Sequence, residues 1–285
     1  MPGAEVLRLT TSYRFGPDIA TLATALLSGF KHEDLPLHGV GGAHAVSPFV
    51  DRSQPHTVIC RTNGKVFASA AKLLGQKSFG FIGAVDSYPF DRLVDVQNLA
   101  AGMVNKVVDP LFRQMGSLTA LTEYAKNSND PEIGALLGVQ KEFGARIPDL
   151  VGRIKLEAKK HEAPGAQAPL VQLTTAHRSK GLEFRQVFLT DDFEEFVTES
   201  GHPKSLDTAE LNQEMNLLYV AVTRATHALE LNPSVNRAMS ALGQTDFTFP
   251  DDTTPSAWVD SMLDSPIVQR QEVIKISAHK SFRAA

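Results

Sequence analysis

A chain of 285 residues, 42% apolar and 21% charged, has a globular makeup and length for one large domain or two small ones. Its net charge of −4 argues against binding nucleic acid chiefly through a basic surface, while a narrow single-strand path built on stacking and a few backbone contacts stays compatible. The one cysteine, Cys60, lies in an apolar run, which excludes an internal disulfide framework and suits a reducing compartment.

Pro17, followed by Ile19, Leu22, Ala23 and Leu26 at spacings of three and four, predicts a helix that stops near Gly29. Residues 31–55, rich in Gly, His and Pro, read as a loop. His32, His38, His44 and His56 lie in or beside it without the cysteine or helical pairing of a metal site, so none is assigned. A buried strand follows at 58–60, a helix at 64–74, a strand at 79–82 and an amphipathic helix at 90–99. From about 100 to 165, short helical patterns with polar breaks replace strand-like runs and close in Pro164-Gly165-Ala-Gln-Ala-Pro169. Strands are expected at 171–175, 187–190 and 228–231, around a buried helix at 210–226. Beyond Asn232, a Pro/Thr/Asp-rich tail holds Phe247, Phe249 and Trp258; it has no assignment beyond partial packing on the core. Strands alternating with helices predict an α/β fold with a parallel sheet.

Two stretches concentrate the chemistry. In Thr174-Thr-Ala-His177-Arg-Ser-Lys180-Gly181-Leu-Glu183-Phe184 an apolar strand breaks into a polar turn. In Glu214-Met-Asn-Leu-Leu-Tyr219-Val-Ala-Val-Thr223-Arg224-Ala225 an apolar run ends in one arginine. A guanidinium there keeps its proton and needs an anion, either an internal carboxylate such as Asp191 or Asp192 or a ligand's phosphate. Glu183, read alone, pairs with Lys180 or Arg185 or accepts from a ligand. Tyr13, read alone, is a capped core tyrosine or a stacking ring. Thr175, His177 and Lys180 fall at the carboxyl end of a strand, where open α/β sheets bind ligands, and Arg61, Thr62 and Asn63 fall at another. No G-x-x-x-x-G-K-(S/T) phosphate loop occurs; Gly75-Gln-Lys77-Ser78 lacks the glycine before its lysine. Asp191 and Asp192, after an apolar strand, imitate a magnesium-binding pair.

These two stretches resemble the last two signature motifs of superfamily-1 helicases of the UvrD/Rep/PcrA type. Leu9-Thr-Thr-Ser-Tyr13-Arg14 and Val58-Ile-Cys-Arg61-Thr62-Asn63 resemble two earlier motifs, in the family's order. Phe15-Gly16, Phe90-Asp91-Arg92, Arg146-Ile-Pro-Asp-Leu and Leu189-Thr-Asp191-Asp192-Phe193 are most similar to the F-box DNA helicase branch. The likeness covers roughly residues 7–232.

The resemblance implies a RecA-like second core lobe at 1–99 and 168–232, with helices on both faces of a parallel sheet, a short helical insertion at 100–167 and an unassigned tail at 233–285. It implies that Arg14 and Arg224 are catalytic and reach the ATP γ-phosphate, that Tyr13 stacks on adenine, and that Glu183 accepts from the ribose. Arg61, Thr62, Asn63, Thr175 and His177 are the implied contacts to single-stranded DNA. ATP is the implied nucleotide, with magnesium and the phosphate loop on a first lobe supplied in cis or in trans. The expectation is the C-terminal lobe of an ATP-dependent 3′-to-5′ DNA helicase, inactive alone: a fragment, a split gene product or a degenerate relative. It is expected to be intracellular, cytoplasmic in a bacterium or nuclear in a eukaryote. No secretory signal is visible, and no apolar stretch approaches the ~20 residues of a membrane span, so no membrane partner is expected. Two departures are Arg178, where many relatives have a small residue, and the shortness of the insertion. The alternatives are a non-enzymatic module binding DNA or a protein, and an unrelated nucleotide-binding enzyme holding metal on Asp191 and Asp192.

Overall fold

The computed structural model describes residues 9–33, 35–41, 45–47 and 50–244. After a two-residue strand β1 (Thr11–Ser12), proline at the first turn starts α1 (Pro17–Lys31), which ends where His32 turns left-handed at φ 54°. The stretch expected as a loop contains two short strands, β2 (His38–Gly39) and β3 (Ala45–Ser47). Both pair with distant partners, so local composition carried no trace of them: β2 runs parallel to β1, and β3 parallel to the last strand. His44, Phe247, Phe249 and Trp258 lie outside the described residues.

Buried β4 (His56–Cys60) leads into α2 (Asn63–Leu73), whose start is capped by the Thr62 hydroxyl accepting from the Lys65 amide at 3.1 Å. Strand β5 (Phe79–Phe81) and helix α3 (Asp91–Ala100) follow. Helices α4 (Pro110–Met115), α5 (Leu118–Ser128) and α6 (Pro131–Phe143) are capped by Asp109, Ser117 and Asp130; α7 (Ile147–Lys159) completes the set. Then come β6 (Val171–Thr175), β7 (Phe184–Leu189), α8 (Ala209–Val222), β8 (Ala225–Glu230) and α9 (Pro233–Ala241).

The expected helix at 210–226 therefore stops four residues early. Thr223 leaves the helix and folds its hydroxyl back onto the Tyr219 carbonyl at 2.8 Å, and Ala225 already pairs with Phe184. Sheet pairing overrides helical patterning there, so Arg224 sits in a helix-to-strand joint rather than inside a helix.

The main sheet has six strands in the order β3-β8-β7-β4-β6-β5, all parallel. Side-chain alternation splits it between two cores. Val58 and Cys60 of β4 and Phe188 of β7 enter one core with α2, α3, α6 and α7, whereas Ile59, Val187 and Leu189 enter the other with α1, α8 and α9. Helices thus cover both faces, which buries a parallel sheet fully and explains its near-continuous apolar strands. Phe112, Leu121, Ile133, Leu136 and Ile154 of the expected insertion share the first core with α2 and β4. Phe67 of α2 meets Phe143 of α6 edge-on at 5.8 Å. The β1–β2 ribbon packs on the start of α1 so closely that a Cβ at Gly39 would lie 2.2 Å from the Gly16 carbonyl oxygen. That contact fixes the turn carrying Tyr13 and Arg14.

Candidate functional site

The sequence-selected residues fall into two clusters at opposite ends of the sheet strands. Arg61–Asn63 follow the carboxyl end of β4, and Thr175 and His177 that of β6. Glu183 and Arg224 instead precede β7 and β8, at amino ends. Helix α8 joins the clusters, with Glu214 in its first half reaching Arg61 and Arg224 beyond its last turn.

At the amino-end cluster, Arg14 Nε donates to Glu183 Oε1 at 2.8 Å. Glu183 therefore pairs with Arg14, not with Lys180 or Arg185, because the β1–α1 turn carries a stronger bonding partner to it than its own neighbours can. Arg224 is 7% exposed, and its guanidinium rests on neutral acceptors: the Val220 carbonyl at 2.9 Å, the Leu182 carbonyl at 3.2 Å and the Thr223 hydroxyl at 3.3 Å. Among the described residues no carboxylate forms an ion pair with it, so pairing to Asp191 or Asp192 is excluded. Burial, then the Arg14 charge, pulls Arg224 below the usual arginine range, with Glu183 and Tyr219 opposing. Arg14 bonds Glu183 and Arg224 bonds the adjacent Leu182 carbonyl, so the three residues meet at one place. Two guanidiniums stand beside one carboxylate that only Arg14 bonds, which leaves a positive charge for an external anion. Tyr13 beside them is 83% exposed and so is not a core tyrosine.

At the carboxyl-end cluster Arg61, Thr62 and Asn63 each already meet an acid. Arg61 grips Glu214 through two bonds, Nε to Oε2 at 2.6 Å and Nη2 to Oε1 at 2.5 Å. Asp192 accepts from the Arg61 amide at 2.9 Å, the Thr62 amide and hydroxyl at 2.8 Å each, and the Thr190 hydroxyl at 2.6 Å. Asn63 donates through its amide (3.1 Å to Oε2) and its Nδ2 (3.3 Å to Oε1) to Glu132 of α6. Thr175 is buried and accepts from the Arg178 amide at 3.3 Å, while His177 is exposed. Partial burial, then Arg61, lowers the His177 pKa, with Glu214 opposing. Arg178 lies 4.2 Å over the Tyr88 ring and donates to Ser87.

Asp191 pairs with Lys65, and Asp192 is occupied by the Arg61 and Thr62 amides and two hydroxyls, so the two acids do not stand open to a metal. Among the described residues no three His, Cys, Asp or Glu side chains group as a metal site. A cavity of about 490 Å³ lined by Glu195, Val197, Thr198 and Arg237 lies apart from both clusters and contains none of the candidate residues. Sequence reading gave no role to Glu214 or Glu132, and it took Asp192 as a partner for Arg224 or a metal rather than for the Arg61 and Thr62 amides. Glu214 had a signal, an acid midway along an apolar helix answering a lone arginine after an apolar strand. Glu132 had none.

A fully parallel sheet with helices on both faces is the architecture of a RecA-like lobe. Residues 104–234 match the UvrD-like helicase C-terminal domain, and the chain carries that domain. It is 28% identical over 263 residues to F-box DNA helicase 1 of Gallus gallus, covering 86% of this chain and 25% of the relative. Similarity to F-box DNA helicase protein 1 of Schizosaccharomyces pombe is 29% over 256 residues, covering 83% and 28%. The ATP-dependent DNA helicase PcrA of Bacillus subtilis is 34% identical over 215 residues, covering 69% and 28%. The chain thus spans 25–28% of the length of these relatives. Among the described residues no helix is long and apolar enough to cross a membrane.

Proposed function

We propose that this chain is the second core lobe of an ATP-dependent 3′-to-5′ DNA helicase. Residues 1–99 with 168–232 form the lobe in this reading, and 100–167 are inserted into it. The observation that carries it is the meeting of Arg14, Glu183 and Arg224 beside exposed Tyr13. An aromatic face, a hydroxyl-accepting carboxylate and two arginine forks match a nucleoside, a ribose and a terminal phosphate in that order.

Charge builds on the phosphoryl oxygens during transfer, so two permanently charged forks aimed there favour the transition state over the bound nucleotide. Arg224, resting on two carbonyls and a hydroxyl, is held in place without being neutralised. Magnesium and the β-phosphate have no holder in these residues, and a first lobe in cis or in trans supplies them. His177, Thr175 and the Arg61–Asn63 turn contribute part of a single-strand path that holds backbone without reading sequence. Work on DNA places the assembled enzyme in the cytoplasm of a bacterium or the nucleus of a eukaryote.

The test is an enzyme completed with a first lobe. Arg224→Ala should remove DNA-stimulated hydrolysis by ~10³-fold while nucleotide still binds, and Arg224→Lys should rescue poorly because a point charge lacks the planar fork. The 285-residue chain alone should not turn over ATP. Robust turnover by it, lost on substituting Asp191, would sink this reading.

A further inference from the structure

We propose that Glu132 stands where a DNA phosphate belongs on Asn63, so that the helical insertion closes one contact of the strand path until this carboxylate swings away. The inference rests on the single-strand reading of Asn63 given above.

Both Glu132 oxygens accept from the Asn63 amide, at 3.3 and 3.1 Å, and Oε1 also accepts from Asn63 Nδ2 at 3.3 Å. Asn63 is the first residue of α2, so these donors point from the positive end of a helix. A carboxylate and a phosphate want the same two donors and carry the same charge. They cannot occupy them together.

The contact is held by few bonds. Asn63 Oδ1 beside it is buried without a hydrogen-bond partner, so only the Asn63 amide and Nδ2 hold the carboxylate. Burial pushes the Glu132 carboxyl above its ordinary range against the opposing Asn63 hydrogen bonds and Arg61, with Asp192 adding to the rise. Release does not need the helices to part. A Cβ at Gly64 of α2 would lie 2.8 Å from the Ala135 Cβ of α6, and Ile133 and Leu136 stay in the shared core. Only the Glu132 side chain has to rotate, because it stands in the first turn of α6, where Asp130 separately caps the Glu132 and Ile133 amides.

The experiment measures binding of a fluorescent oligothymidylate to the 285-residue chain by anisotropy at fixed salt. Glu132→Ala should tighten binding on the order of tenfold, and Glu132→Gln by less, since the amide still occupies the donors weakly. Adding Asn63→Ala to Glu132→Ala should remove part of the gain, since alanine loses Nδ2 but keeps the backbone amide. Glu123→Gln, an exposed acid on α5 of the same insertion, controls for bulk charge and should leave the affinity nearly unchanged. Wild-type binding with no gain in either Glu132 variant, at an unchanged circular dichroism spectrum, overturns the proposal alone. An equal gain in Glu123→Gln also overturns it, since the effect is then overall charge. If no variant and no wild-type protein binds the oligonucleotide, the strand-path reading falls and takes this proposal with it.

Discussion

Arg14 and Glu183, separated by 169 residues, are joined by one hydrogen bond of 2.8 Å, at the place where Arg224 also arrives. The bond ties the turn after β1 to the start of β7 and presents both partners at the surface, with side chains 29% and 52% exposed.

A pair this exposed contributes ~0–1 kcal/mol to folding once solvent screening is counted. Glu183→Ala should therefore move the urea midpoint only slightly. In the completed enzyme it should weaken binding of a fluorescent ATP analogue by roughly tenfold, from loss of a charged acceptor for hydroxyls. A loss of stability well above ~1 kcal/mol without a change in nucleotide affinity would make the pair a structural pin.

Arg61 and Glu214 should behave in the opposite way. Their side chains are 10% and 20% exposed, and two bonds join them. Arg61→Ala strands a half-buried carboxylate and should cost ~3 kcal/mol in urea unfolding. The double variant Arg61→Met with Glu214→Leu should recover most of that loss, because neither charge is then left alone. Additive losses in the double-mutant cycle would mean that the two side chains do not depend on each other.

His56 gives a prediction with a sign. Burial lowers its pKa below the ordinary 6.5, with Arg52 and Lys77 adding and the Gln54 carbonyl and Asp51 opposing. The unfolded chain then binds a proton at a pH where the folded chain does not, so stability is full above about 6.5 and falls as pH drops below it. Relative to wild type, His56→Gln should lose up to ~1 kcal/mol less between pH 7.5 and 5.5. Equal slopes from chemical unfolding at the two pH values would count against a neutral buried imidazole.

Much of the fold is legible in local pattern. The strand expected at 171–175 stands there residue for residue, and α2 differs from its expected span by one residue at each end. What local pattern misses depends on distant partners. Strand β3 exists because β8 lies beside it, and α8 ends early because Ala225 is claimed by Phe184. The site divides in the same way. Each motif announces its residue types, since an arginine after an apolar run demands an anion. Which anion answers is set by tertiary packing: Glu183 for Arg14, Glu214 for Arg61 across 153 residues, and only two carbonyls and a hydroxyl for Arg224. The location of the arginine pair at amino rather than carboxyl strand ends likewise follows from how β7 and β8 enter the sheet.

Cys60 is the chain's single thiol; it is 0% exposed in the middle of the sheet, and burial pushes its pKa far up. Thiolate is the reactive form, so maleimide chemistry passes this residue by in the folded protein. The wild-type chain is thus a ready background for spectroscopy, with no cysteine to remove first. Leu156→Cys, at a position 69% exposed on α7, would carry a single dye on the helical layer that holds Glu132, and a donor on the oligonucleotide would then report by energy transfer how that layer stands relative to a bound strand.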